Sequence, residues 1–188
     1  FIYAAEEGFS IKHFAVSSLS QESIELRAHP VLISNSKYLA NLKGVRNGIE
    51  IETDLIGKLH VAGSGAGQAS TASGVISDLI YISNIKDKIS SENKHKSSKK
   101  ILKIDDLKFE NYIHIKTSIS EDNIALIEQV FDNYKIFIKK IKCKELSKNK
   151  NAVIIFTDLH SEKDLNKCIS EIEKLDKIVS VKSIRIES

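Results

Sequence analysis

Apolar and polar residues alternate with a period of two from Ser10 to Ser18 and again from Ile24 to His29, on either side of the polar stretch Ser18-Leu-Ser-Gln-Glu-Ser23. A period of two sends successive side chains to opposite faces of a strand, so the pattern predicts a hairpin. Asn47 to Thr53 alternates in the same way, and Leu55 to Ala62 follows after Asp54, which predicts a second hairpin of a mostly antiparallel sheet. The period then changes. Between Thr71 and Ile85, Ala72, Val75, Ile76, Leu79, Ile80 and Ile82 recur at helical spacing. The opening residues, Phe1 to Gly8, read as the last turns of a helix closed by glycine.

The second half runs strand, helix, strand, strand, helix, strand. Asn111 to Ser118 is a strand pattern, and Ser120 to Tyr134 carries Ile124, Ile127, Val130 and Phe131 at helical spacing, with Ser120 and Asp122 as candidate caps. Strands at Ile136–Leu146 and Ala152–Asp158 flank the polar turn Ser147-Lys-Asn-Lys-Asn151. Ser161 caps a helix bearing Leu165, Cys168, Ile169, Ile172 and Leu175, and Val179 to Ile186 closes as a strand. This βαββαβ order is that of a ferredoxin-like unit. The fold class expected is therefore α+β: a mixed sheet with a returning helix, followed by a ferredoxin-like domain.

Composition places the boundary between the halves. All eight glycines and the one proline, Pro30, lie before residue 75, and 86–188 has no glycine. The polar segment Ser90 to Lys100 reads as a solvated linker, with no aromatic residue between its lysines as a nucleic-acid site would need. The division predicted is 1–85, a linker at 86–106, and 107–188. A net charge of +3 from 28 basic and 25 acidic residues describes a solvated surface, so no nucleic-acid partner is expected. Two cysteines, Cys143 and Cys168, exclude a disulfide scaffold and read as fillers of strand and helix positions. The six histidines show no metal-ligand spacing, so no metal is expected. The lysines at 135, 139, 140, 142, 144, 148 and 150 read as the solvated face of a hairpin. No apolar run reaches the ~18 residues of a membrane span, which makes a cytoplasmic protein with no membrane partner the expectation. The sequence starts at Phe1 and contains no Met. Together with a helix ending at Gly8, that predicts a C-terminal piece of a longer protein.

Chemistry concentrates in Gly63-Ser-Gly-Ala-Gly-Gln-Ala-Ser-Thr-Ala72. Alternate glycines between a strand and a helix let backbone approach a ligand, and the helix start offers free N–H groups to a phosphate or other anion. A tight structural turn needs the same residues. The spacing is not G-x-G-x-x-G, because the glycine after Gly65 comes at Gly67.

Taken in order, Arg27-Ala-His-Pro30, Gly44-Val-Arg-Asn-Gly48, Asp54-Leu-Ile-Gly57 and Gly63-Ser-Gly-Ala-Gly67, followed by Thr71-Ala-Ser-Gly-Val-Ile-Ser-Asp-Leu79, resemble the C-terminal third of homoserine dehydrogenases. Tyr3-Ala-Ala-Glu-Glu-Gly-Phe-Ser-Ile-Lys12 is similar to that family's Y-A-x-E-L-G-Y-x-I-K. The resemblance covers residues 1–85. The tail resembles the ACT regulatory domain carried by many of these enzymes: Ala152–His160 looks like A-x-I-V-I-x-T-H, and Ile184-Arg-Ile-Glu187 like I-R-I-E. The ACT domain's D-x-P-G turn is replaced here by Ile119-Ser-Glu-Asp122, so the loop that would hold an amino acid lacks its shaping glycine and proline.

The resemblance implies NAD(P)-dependent interconversion of L-aspartate 4-semialdehyde and L-homoserine, the chemistry of threonine and methionine biosynthesis. The family's Rossmann domain, catalytic lysine and acidic residues precede the matched stretch, so no catalytic residue and no tightly bound cofactor are expected here, and the chain alone is expected to be inactive. Gly67 is the position implied to touch the nucleotide, with Gly65, Ala66, Thr71 and Ala72 around it. The family's proline before that threonine is Ser70, which implies a less rigid turn. A homodimer is expected, with a small-molecule substrate and an amino acid as effector. The alternative is a non-catalytic ACT-type module that binds an amino acid or dimerises.

Overall fold

The computed structural model describes residues 2–85, 99–118, 124–147 and 150–187. The linker segment 86–98, the loop 119–122 with its caps Ser120 and Asp122, and the turn residues 148–149 lie outside the described residues. Two compact units are present: one made of the residues up to Ser34 together with those from Lys99 onward, the other of the residues between.

The first unit holds helix α1 (Ile2–Glu6) and strands β1 (Phe9–Leu19) and β2 (Ser23–Ser34) from the start of the chain. The second unit contains β3 (Arg46–Thr53), β4 (Gly57–Ser64) and α2 (Gln68–Ile85). The chain then returns to the first unit with the short β5 (Lys100–Ile101), β6 (Lys108–Thr117), α3 (Ile124–Asn133), β7 (Ile138–Ser147), β8 (Lys150–Thr157), the short β9 (His160–Ser161), α4 (Glu162–Ile172) and β10 (Ile178–Glu187). Its main strands form one sheet in the order β1-β2-β10-β6-β8-β7. The four strands from β10 to β7, with α3 and α4 in their crossovers, are the ferredoxin-like arrangement that the periodicity predicts. The two predicted hairpins form, but not in a common sheet: β1–β2 extends the large sheet, while β3–β4 stands as a two-stranded sheet of its own.

The junction that extends the sheet is parallel. Arg185, Ile186 and Glu187 of β10 lie opposite Val31, Leu32 and Ile33 of β2. Pro30, which has no N–H to give a ladder, sits just before that pairing begins. Lys100 and Ile101, within the stretch expected as linker, pair in parallel with Ser23 and Ile24.

Both faces of the sheet are covered. On one, Ile113, Ile115, Val153, Ile155 and Val181 pack against Ile127, Val130 and Phe131 of α3 and Leu165, Cys168 and Ile172 of α4. Ser161 caps α4 as predicted, its Oγ accepting from the Asp164 N–H. Helix α3 ends in a motif that usually uses glycine: Lys135 takes φ +55°, its N–H bonds to the Asp132 carbonyl, and the Ile136 N–H bonds to the Phe131 carbonyl. In a half with no glycine, lysine fills the left-handed position. On the other face, Leu32, Tyr112, Ile154 and Phe156 pack with Ala4 of α1. Tyr3 stacks on His114 with ring centroids 5.7 Å apart, and Gly8 closes the helix at φ +80°. The hairpin lysines are not simply solvated: Lys140 and Lys142 pair with Glu7, and Lys144 with Glu6.

In the second unit, β3 and β4 pair antiparallel, with Ile49 opposite Val61 and Ile51 opposite Leu59. All four of these side chains are exposed, as are Val75, Ile76, Leu79, Ile80 and Ile82 of α2.

Candidate functional site

The glycine-rich turn connects β4 to α2, which begins at Gln68, three residues before the periodicity alone places it. A Cβ built on Gly65 would lie 2.0 Å from Asn47 Nδ2, so Asn47 occupies the space a side chain would take. The Gly65 N–H bonds to the Val45 carbonyl at 2.7 Å. Gly67 has φ +123°, a conformation that side-chain-bearing residues avoid. Ser70 ties the turn through its side chain: its hydroxyl lies 3.0 Å from the carbonyl oxygens of both Ala66 and Gly67. Gly65, Ala66, Gly67, Thr71 and Ala72 come together as one exposed surface spanning the turn and the first turn of the helix. The opening N–H groups of an 18-residue helix are available there.

A second constellation lies in the first unit, at the β2–β10 junction. The Arg27 guanidinium donates to both Glu187 oxygens at 2.7 and 2.8 Å and to Glu25 at 2.5 Å, with only 8% of its side chain exposed. Arg185 donates to Glu162 at 2.6 and 3.1 Å. The Phe109 ring is within cation–π reach of both guanidiniums, 5.2 Å from that of Arg27 and 4.9 Å from that of Arg185. Arg27 has only donors, so the His29 Nε2 3.0 Å away accepts, and Nδ1–H donates to the Pro30 carbonyl. Burial, followed by the charges of Arg185 and Arg27, holds His29 below the ordinary histidine range. His160 is held low by burial as well; its Nδ1–H donates to the Asp158 carbonyl and its Nε2 accepts from Asn111.

Two motifs quoted separately in the sequence thus meet: Arg27-Ala-His-Pro30 and Ile184-Arg-Ile-Glu187. Sequence reasoning gave no role to Phe109 or Glu162, which complete the cluster. Neither carries a signal of its own, because one apolar and one acidic residue at such positions look like any strand interior and any first helical turn.

Burial pushes the Cys168 thiol up to about 12, which suits a core filler. Among the described residues, no three His, Cys, Asp or Glu side chains gather as metal ligands. No helix among them is long and apolar enough to cross a membrane.

Residues 1–80 match the sequence profile of the homoserine dehydrogenase family. The chain is 29% identical to the homoserine dehydrogenase of Neisseria gonorrhoeae over 199 aligned positions, covering 99% of this chain and 45% of that protein. The Helicobacter pylori homoserine dehydrogenase is also 29% identical, at the same coverage. The crystal structure of a homoserine dehydrogenase from Thiobacillus denitrificans superposes on the whole chain with a TM-score of 0.85 and 27% identity, over 44% of its own length. The Staphylococcus aureus homoserine dehydrogenase structure at pH 7.5, 21% identical with a TM-score of 0.63, shares the fold. The chain therefore spans a little under half the length of the relatives it matches.

Proposed function

We propose that this chain, related along its whole length to homoserine dehydrogenases, forms the C-terminal portion of an enzyme that interconverts L-aspartate 4-semialdehyde and L-homoserine with NAD(P). The observation that carries this reading is the superposition of all 188 residues on the Thiobacillus denitrificans enzyme at a TM-score of 0.85. On this reading residues 1–85 complete the catalytic domain, 86–106 link, and 107–188 are an ACT-like regulatory domain.

The glycine-rich turn fits a phosphate-bearing cofactor. It is exposed, has no side chain at Gly67, and leads into the N–H groups of α2. When bound, a nicotinamide cofactor supplies the hydride. The contribution of this chain is to present the Gly65-Ala66-Gly67 backbone and the Thr71 and Ala72 side chains to it. The hydride-transfer chemistry is assigned to parts of the enzyme outside these residues.

The full-length enzyme is expected to oxidise NADPH when given aspartate semialdehyde, and the 188-residue chain alone to stay at background. Turnover by the chain alone would overturn that assignment. Gly67→Ala, which forces a Cβ onto a φ of +123° and to 3.2 Å from Ser70 Oγ, is expected to raise the NADPH Kd of the full-length enzyme about tenfold. Unchanged nucleotide affinity in that variant would remove the turn from the cofactor site.

The protein is proposed to be a cytoplasmic homodimer. The exposed apolar pairs Ile49–Val61 and Ile51–Leu59 support the homodimer, since contiguous apolar side chains on one sheet face mark an interaction surface. Ile49→Asp is expected to shift the sedimentation of the protein at micromolar concentration from dimer toward monomer. An unchanged dimer would place the contact elsewhere.

A further inference from the structure

We infer that Asn47 is a positioning residue of the glycine-rich turn: its carboxamide, laid across Gly65, holds the Gly65-Ala66-Gly67 backbone in the shape that receives the nucleotide. This role rests on the reading of the turn as part of the cofactor site.

The turn has little of its own to fix it. Three of the five residues from Gly63 to Gly67 are glycine, which loses more conformational freedom on ordering than any other residue. A loop that is loose before its ligand arrives is ordered by binding, and that cost is subtracted from affinity. The shape therefore has to be imposed by neighbours. On the helix side, the Ser70 hydroxyl reaches the Ala66 and Gly67 carbonyls, and the Thr71 N–H donates to the Gly67 carbonyl at 3.0 Å. On the strand side, the β3–β4 ladder ends with Arg46 opposite Ser64. Gly65 stands between these two sets of ties, and its N–H bond to Val45 fixes one edge of it.

The Asn47 side chain closes that gap. A Cβ on Gly65 would meet Nδ2, Cγ and Oδ1 of Asn47 at 2.0, 2.4 and 2.9 Å, and these are its three nearest atoms. The whole carboxamide therefore lies in the space a side chain at 65 would use. Gly65 lacks the positive φ of Gly67, so its backbone conformation is open to other residues. The barrier to a side chain there is Asn47. The strand, in turn, does not account for the asparagine. Asparagine is depleted in strands, and two and four residues further along β3 the same face carries Ile49 and Ile51. Asn47 is also exposed, so it closes no core. What its side chain meets is the turn.

The test is an exchange of sizes in the full-length enzyme, read by NADPH fluorescence titration, by kcat at saturating NADPH and by melting temperature. Asn47→Ala removes the three carboxamide atoms and frees Gly65; the NADPH Kd is expected to rise about fivefold, with kcat and melting temperature in place. Gly65→Ala drives a Cβ into the carboxamide, and a rise of about tenfold or more is expected. The double variant Asn47→Ala/Gly65→Ala sets a methyl group in the notch the carboxamide vacates, and is expected to bring the Kd back to within about twofold of the wild type. Such a rescue is closed to a residue that binds the nucleotide directly, and to one needed only for folding. A wild-type Kd in Asn47→Ala overturns the role, as does a loss confined to kcat or melting temperature, or a double variant no tighter than the weaker single one. Gly67→Ala, titrated alongside, separates the two readings. If it weakens NADPH binding and Asn47→Ala does not, the turn stays in the cofactor site and only the role of Asn47 falls. If neither variant changes the Kd, both readings fall.

Discussion

Phe131→Ala is expected to lower the unfolding free energy by about 3–5 kcal/mol, the range for an aromatic side chain deleted from a closed core. Phe131 has no exposed surface and sits among Ile127, Val130, Ile136, Leu165 and Ile172, so the cavity left has walls on every side. Its carbonyl also accepts the N–H of Ile136 at the end of α3, which ties that helix terminus to the same core. Urea unfolding followed by circular dichroism reads the effect: the midpoint should fall while the slope stays constant. A loss below about 1 kcal/mol would mean that α3 collapses into the gap, and that the core is less closed than the packing indicates.

Removing the charge of Arg27 has the second largest expected effect. Arg27→Met keeps much of the apolar stem but leaves Glu25 and Glu187 facing each other in a partly buried site, with an expected loss of about 3 kcal/mol. The double variant Arg27→Met/Glu187→Leu should recover part of that loss, because it removes one of the two stranded carboxylates while Glu25 stays without its counter-ion. Denaturant unfolding of the wild type, both single variants and the double variant closes the cycle and isolates the coupling. If the double variant is as unstable as Arg27→Met alone, the loss does not come from stranding Glu187 and falls on Glu25 and on the contact with the Phe109 ring.

How much of this could be read from the sequence depends on how far apart the cooperating residues lie. The ferredoxin-like order of 107–188 was legible because each element carries its own period: Ile113 and Ile115 alternate, and Ile127, Val130 and Phe131 recur at a helical interval. The Ser161 cap was legible for the same local reason. The glycine-rich turn was visible as a turn, but not the ground for each glycine, since Gly65 is required by Asn47, eighteen positions earlier and on another strand. The β2–β10 junction was not legible at all. Alternation reports which face a side chain takes, not which strand lies alongside, and nothing in Arg27-Ala-His-Pro30 announces Glu187 as its partner. The pairing of Glu6 and Glu7 with the lysines of β7 was hidden in the same way: on the page they are two surface runs, and only a sheet face brings them together.

The parallel junction also sets a clock. Arg27 and Glu187, which clasp across it, are 160 residues apart in the chain. A ribosome adding about 5–20 residues per second needs on the order of 8–30 s to make that interval. The β1–β2 hairpin closes locally within microseconds of its synthesis. It then waits all that time with Val31 to Ile33 of β2 unpaired on that side and Arg27 without Glu187. The sheet becomes continuous only when β10 is delivered, so nascent chains arrested before Glu187 should expose that edge to proteases and to other unfinished copies. A strand made 160 residues later thus shields the β1–β2 hairpin.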